Sequence, residues 1–362
     1  MKTRNVIFYG LLIAASFSFA REPVKIGVAG LSHSHVLLLL RDLDRTDIQV
    51  VGIAEPNKDL AARYAEKFGI DKSILFDSLD EMLEQTQPEG VVTFTSIYDH
   101  LKVVEACAPR GVHVMVEKPL AVSVEHAKKM IALREQAGTL LLTNYETSWY
   151  PSNYEGYDMV ESGKLGDLRK IIVYDGHTGP REIRVNEEFL DWLTDPVLNG
   201  GGAVTDFGCY GADLITWLLK GERPVSVFAS LKQYKPDVYP KVDDDATILL
   251  FYPSMEGVIH ASWNWPFSRK DMHVYGTTGY ALIDDKETIR YRLEKRSPEQ
   301  TTIVPPEKAP FIDPFAFFAA AVRGDRTITA TDLSSPEINL TVVEILEAAA
   351  ESSRTGKKVF LK

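Results

Sequence analysis

Positive charge, cysteine, repeats and long apolar runs are all scarce in this chain. Of its 362 residues, 40 are Lys or Arg and 51 are Asp or Glu, a formal net charge of −11. Nucleic-acid binding runs on clustered Lys and Arg, so no nucleic-acid partner is expected. Only two cysteines occur, Cys107 and Cys209. Each falls in a predicted helix, in different halves of the chain, and a core of this size needs no disulfide. Buried free thiols are expected. No Gly/Ser, Pro-rich or single-residue tract and no internal repeat occurs. What remains is an ordinary globular composition, 45% hydrophobic and 25% charged, long enough for two domains.

The apolar run Val6 to Ala15 is too short to span a bilayer comfortably, so no stable membrane anchor is expected. Lys2 and Arg4 precede it and Ser18-Phe19-Ala20 follows it, the basic start and small-residue cleavage site of a secretory signal. There is no Arg-Arg pair for twin-Arg export and no Cys at the cleavage point for lipidation. Residues 1–20 are therefore expected to be a Sec-type signal peptide, and the mature protein to be exported, periplasmic or secreted.

Val24 to Ala29 then reads as a short buried strand, followed by a turn and a helix over about Ser34 to Leu43. Further strands and helices alternate through Gln49–Ala54, Lys58–Phe68, Gly90–Thr95, Leu101–Pro109, His113–Val116, Val124–Gln136 and Leu140–Thr143. Apolar strands alternating with helices mean a parallel sheet covered on both faces. After Tyr145 the pattern changes. Val225–Leu231, Ala246–Tyr252 and Gly257–Trp263 alternate apolar and polar residues, as antiparallel strands with one packed face do. One helix, Ala203 to Leu219, interrupts them, and amphipathic helices close the chain. The fold class expected is α/β: a doubly wound Rossmann domain over 21–145, then an α+β domain over 146–362 with a largely antiparallel open sheet.

Three motifs carry chemistry. The first βα turn reads Gly30-Leu31-Ser32-His33-Ser34-His35 and keeps only the first glycine of a G-x-G-x-x-G fingerprint. Its context is right, with a strand before, a helix after, and Glu55 at the end of the second strand where a ribose hydroxyl would be bound. His33 and His35 have no third convergent ligand in the sequence, so no metal is expected; polar contacts beside a pyrophosphate suit them better. The second motif is Glu117-Lys118-Pro119. Pro119 keeps Lys118 extended at the C-terminal end of a parallel strand, the edge where ligands bind. Partial desolvation there would lower the lysine pKa and let it shuttle a proton. The third is Gly200-Gly201-Gly202 followed by Asp206, Tyr210 and Asp213, which share one face of a continuous helix. Three polar groups on a buried face are costly unless they serve a site.

Taken together these residues resemble the Gfo/Idh/MocA family of oxidoreductases. The resemblance adds Thr95 and His100 in Phe94–His100, Val242 to Ala246, Tyr275 to Gly279, and Pro314-Phe315 through Arg323-Gly324. It implies a two-domain, homo-oligomeric enzyme that oxidises or reduces a sugar, polyol or related carbohydrate with NAD, NADP being less suited to Glu55. Gly30, Ser32, His33, Glu55, Thr95, His100, Glu117 and Lys118 would then bind cofactor. Lys118, Asp206 and Tyr210 would be catalytic, and Asp206, Tyr210 and Trp149 would meet substrate. Three departures stand out: Tyr210 fills the usual His position, the glycine loop is eroded, and the family's basic segment after the last Rossmann strand reads Tyr145-Glu146-Thr147-Ser148-Trp149. The last change implies lost cationic contacts and argues against a phosphorylated or strongly acidic substrate.

In the expected chemistry Lys118⁺, at hydrogen-bond range, lowers the Tyr210 pKa and the two act as an acid/base pair, with Asp206 orienting them. Export raises the question of how cofactor is regenerated, which keeps a redox-neutral NAD-dependent glycosidase open as an alternative. A non-catalytic sugar or nucleotide sensor fits the intact Glu117-Lys118-Pro119 less well.

Overall fold

The apolar runs of the first half become six parallel strands: β1 (Val24–Ala29), β2 (Ile48–Ala54), β3 (Leu75–Phe76), β4 (Gly90–Thr93), β5 (His113–Glu117) and β6 (Leu141–Asn144). The computed structural model describes residues 22–308 and 310–361; the expected signal peptide lies outside them. The sheet order is β3-β2-β1-β4-β5-β6, so the chain reverses direction across the sheet between β1 and β4. A crevice at that reversal, at the C-terminal ends of the strands, is where doubly wound sheets bind ligands. Helices cover both faces and are capped as their sequences direct. Asn57 accepts from Leu60 N and Gly69 closes the Lys58–Phe68 helix with φ 66°. Ser123 and Gly138 do the same for Val124–Ala137.

Nine further strands form the second sheet: β7 (Leu168–Gly176), β8 (Ser226–Lys232), β9 (Asp245–Phe251), β10 (Glu256–Ser262), β11 (Arg269–Gly276), β12 (Tyr280–Ile283), β13 (Thr288–Arg292), β14 (Gln300–Ile303) and β15 (Val359–Phe360). Their order is β14-β13-β12-β11-β7-β10-β9-β8-β15. All pairs are antiparallel except β7 with β10. One face is dry: Ile171, Val173, Ile259, Met272 and Val274 are buried against the Gly208–Leu218 helix. The other face carries half-buried Ile172, Tyr174, Val258 and His260. No described helix is long and apolar enough to cross a membrane, and both cysteines are buried and free.

Three details differ from the sequence reading. The first helix covers only Val36–Leu40, because the turn before it winds with shorter bonds such as Val36 N to the His33 carbonyl. The second unit is not one continuous stretch from 146 onward. The Pro314–Val322 helix returns to the Rossmann sheet, where Phe315, Phe317 and Phe318 join a core with Ile26 and Val92. Gly90 leaves the space for it, since a Cβ there would lie 2.7 Å from the Phe318 ring. The Pro336–Thr355 helix packs on both cores, Val343 on the Rossmann side and Val342 and Ile345 on the other.

The third difference bears on chemistry. The expected Ala203–Leu219 helix is two helices, Ala203–Asp206 and Gly208–Leu218, broken at Phe207. The carbonyl of Asp206, which would accept from Tyr210 N in a continuous helix, instead takes a hydrogen bond from Lys118 Nζ at 2.8 Å. Tyr210 N turns to the Phe207 carbonyl. Asp243 fixes the start of this segment by accepting from Gly202 N and Val204 N. Gly202 is required there, because a Cβ would sit 1.8 Å from the Asp243 carbonyl oxygen.

Candidate active site

At the first βα turn Gly30 has φ +79°, and a Cβ on it would lie 2.6 Å from Thr95 Cγ2. Glycine thus keeps open a cradle at the β1/β4 crevice, which fits a dinucleotide phosphate. Thr95 forms its wall, its hydroxyl bonded to Thr93 Oγ1 and the Ser96 carbonyl. Glu55 stands at the end of β2 as expected, but both its oxygens already accept backbone bonds, from Leu31 N at 2.7 Å and Asn57 N at 2.8 Å. It ties the turn together and retains a lone pair on each oxygen for a ribose hydroxyl. Burial pushes its pKa up, with the two amides opposing.

The turn is also roofed. The Glu187–Leu193 helix lays Phe189 and Trp192 on the His33 ring, with centroids 4.3 and 5.6 Å away. Trp192 Nε1 donates to Ser32 Oγ and Asn186 Nδ2 to the Ser32 carbonyl, both at 3.1 Å. His33 is accordingly buried and its pKa depressed by burial and by His35. Folding supplies the third partner that the sequence did not show: the ligand-capable atoms of His33, His35 and Glu117 lie within 4.8 Å of one another. That carboxylate is engaged, however, with His35 Nδ1 at 2.9 Å and Asn144 Nδ2 at 2.8 Å. The trio is a hydrogen-bonded network that braces the turn against β5.

Lys118 ends β5 with a cis Lys118–Pro119 peptide. Its ammonium lies 2.5 Å from Asp206 Oδ1, and Trp263 Nε1 donates to Asp206 Oδ2 at 2.9 Å. Burial alone would lower the lysine pKa; the attraction of Asp206 outweighs it and the value rises. The expected lowering is thus corrected: Lys118 is a fixed cation. Tyr210 is corrected too. The Lys118 ammonium sits over its ring face, 5.0 Å from the centroid, and the phenol pKa is driven well up by burial, then by Glu146 and Asp175. Asp213 does not share the site. Beyond the break at Phe207 it is fully buried in the core, its oxygens unpartnered by protein and its pKa raised by burial.

The two halves of the chain match two family models, the Gfo/Idh/MocA NAD-binding Rossmann family over residues 24–145 and the Gfo/Idh/MocA C-terminal domain over residues 157–282. The chain belongs to the Gfo/Idh/MocA oxidoreductase family. It is an NAD(P)-dependent oxidoreductase acting on CH–OH groups. Among curated relatives, trans-1,2-dihydrobenzene-1,2-diol dehydrogenase of Bos taurus is 27% identical over 260 residues, 71% of this chain and 72% of that protein. The aldose-aldose oxidoreductase of Caulobacter crescentus, solved with glycerol, shares the fold with a TM-score of 0.77 at 21% identity, covering 94% of this chain and all of that one. An inositol dehydrogenase homologue of Azotobacter vinelandii, solved with NAD⁺, has a TM-score of 0.78 at 19% identity, covering 94% and 98%.

In this family member Lys118, Asp206 and Tyr210 line a cleft of about 820 Å³ that runs beneath the roofing helix. His33, His35, Lys118, Asp206 and Tyr210 face it, as do Glu146, Tyr150, His177 and Lys270. Gly30, Ser32, Glu55, Thr95, His100, Glu117 and Trp149, also expected at the site, are not among the residues that line it. Trp149 turns away to pack at a tilt against Phe317 and donate to Asn144 Oδ1, because the short 3₁₀ turn Glu146–Trp149 sends its two ends in opposite directions. His100 is fully buried at the start of its helix and holds the Leu120 carbonyl; burial depresses its pKa to about 4. It supports the Lys118 turn from beneath.

Sequence reasoning also missed residues from the second sheet. The segment Tyr145–Trp149 carries no cation, but Lys270, Arg269 and Arg290 line the cleft from β11 and β13. Each faces a carboxylate: Glu146 at 2.6 Å, Asp271 at 2.7 Å and Asp284 at 2.5 Å. Behind them Asp175 of β7 pairs in register with Lys270. It is 1% exposed, its Oδ1 has no protein partner, and burial drives its pKa well up. No motif marks these positions: Arg269 and Lys270 are neighbours on β11 and alternate to opposite faces, Lys270 to the side of Met272 and Val274 and Arg269 over the Tyr174 ring.

Proposed function

We propose that the chain interconverts an alcohol and a carbonyl on a neutral sugar or polyol, using NAD in preference to NADP. The observation that carries this reading is the Lys118 ammonium, locked by Asp206 beside Tyr210, facing a cleft whose wall alternates paired cations and carboxylates. With a dinucleotide held at the Gly30 turn, its nicotinamide would supply the hydride acceptor or donor. Lys118 then donates a hydrogen bond to the reacting oxygen and stabilises negative charge that develops there. Tyr210, the nearest uncommitted acid, gives that oxygen its proton in the reductive direction. Asp206 keeps Lys118 charged and aimed, and Trp263 keeps Asp206 aimed.

The test is a panel of polyols, aldoses and aryl glycosides incubated with NAD, followed by absorbance and product chromatography. NADH formed in proportion to an oxidised sugar supports the reading. Hydrolysis of a glycoside with no net NADH replaces it with the glycosidase alternative. Two further parts of the reading rest on other observations. Export rests on residues 1–20, and the protein from its native host should begin at Arg21. Self-association rests on the half-buried open face around Ile172, Tyr174, Val258 and His260, a surface suited to a second copy.

A further inference from the structure

Glu146 reverses the charge that the resemblance leads one to expect immediately after β6. The reversal is built in. The 3₁₀ turn that begins at Glu146 points this side chain into the cleft, where Tyr150 Oη donates to Oε1 at 2.6 Å. Lys270 Nζ reaches Oε2, also at 2.6 Å, from the opposite wall. Burial works against the Glu146 charge, yet Lys270 and Tyr150 hold its pKa down at about 2, so it is ionised throughout the working range. The Lys270 ammonium lies 4.3 Å from the Tyr210 ring centroid, closer than that of Lys118. The pair therefore stands beside the reacting position, one member from the turn after β6 and the other from β11.

We infer that Lys270 and Glu146 are the specificity-determining pair of this cleft, taking adjacent hydroxyls of a neutral substrate and turning anions away. This rests on the oxidoreductase reading and names its substrate class. A hydroxyl oxygen accepts from Lys270, and the neighbouring hydroxyl donates to Glu146; both bonds involve a charged partner and are stronger for it. A carboxylate or phosphate in the same place meets the Glu146 charge and finds Lys270 already neutralised. Among the other charged groups of the cleft, Arg269 is paired with Asp271 and Arg290 with Asp284, while Lys286 also lines it. Lys118 is closed by Asp206, and Asp175 sits behind Lys270 without access to the cleft.

The test compares D-glucose with D-glucuronate, which carries a C6 carboxylate in place of the hydroxymethyl group. Calorimetric binding to the full mature chain is measured with and without NADH. Wild-type protein should prefer glucose. Glu146→Gln keeps the shape and removes the charge, leaving Lys270 free, and should shift the preference toward glucuronate by tenfold or more, about 1.4 kcal/mol. Lys270→Gln should weaken glucose binding and move the preference the other way. Unfolding midpoints close to wild type establish that both variants fold. A Glu146→Gln protein whose preference stays within about twofold of wild type, including one that binds neither sugar, overturns the inference. Failure to bind NADH would instead overturn the oxidoreductase reading, while the shift in sugar preference still reports on the pair.

Discussion

Replacing Asp206 with Asn probes the centre of the site with one atom changed. The Asn side chain can still accept from Trp263 through its carbonyl oxygen, and Lys118 keeps its bond to the residue 206 backbone carbonyl. What disappears is the charge 2.5 Å from a buried ammonium. Breaking a buried pair from one side leaves an uncompensated charge, which typically costs about 3–5 kcal/mol. The pH dependence follows from the directions of the shifts. The Asp206 pKa is lowered, so its contribution is lost only as pH falls through that lowered value. The Lys118 pKa is raised, so its contribution is lost only as pH rises through that raised value. At neutral pH the wild-type pair contributes fully and stability is flat. In the variant burial dominates and Lys118 falls below its unfolded value, so stability should climb from about pH 7 toward pH 10. Urea unfolding across that range reads both effects, and Lys118→Met with Asp206→Leu should recover part of the loss. A single variant that loses less than about 1 kcal/mol and shows no alkaline gain would refute the argument that Lys118 is held charged by Asp206.

Other expectations are as direct. Lys118 and Tyr210 are both protonated at neutral pH, since both pKa values are raised; alcohol oxidation should therefore quicken steadily from about pH 6 to about pH 9 while carbonyl reduction stays level. A plateau in oxidation near neutrality would contradict this. Tyr210→Phe should reduce turnover by about 10²–10⁴ with NADH affinity unchanged, as read by fluorescence titration. Glu55 at a ribose hydroxyl repels a 2′-phosphate by up to about 4 kcal/mol, so NADP should bind at least about a hundredfold more weakly than NAD; equal affinities in titration would remove Glu55 from that role. Phe318→Ala should cost about 3–5 kcal/mol in urea unfolding, because the ring fills the space beside Gly90.

Both sheets were legible because hydrophobic periodicity is a local signal: β1, β2, β5 and the alternating β8, β9 and β10 fell where their patterns placed them. Glu117, Lys118, Asp206 and Tyr210 were legible as motifs, and they do converge. Their ionisation was not. The lysine pKa was expected to fall through burial, but its nearest carboxylate lies 88 residues away in sequence and becomes its partner only on folding. The break at Phe207 has the same origin, as Lys118 draws the Asp206 carbonyl out of the helical ladder. Lys270 and Asp175 face each other across β11 and β7, and register between distant strands leaves no mark in either segment alone. Trp149 was misplaced for a smaller reason: over a four-residue 3₁₀ turn, neighbouring side chains diverge too quickly for motif position to fix their direction.

The roof over the dinucleotide turn has a consequence for time rather than affinity. Ser32 is held from above by Asn186 and Trp192, and the same stretch of chain is anchored at its far end where Tyr98 N bonds the Leu198 carbonyl. We expect a dinucleotide lodged against Gly30 to leave when these contacts between the two halves of the molecule part together. Its dwell time becomes a property of tertiary structure, set by Trp192 and Phe189 as much as by any group that touches it.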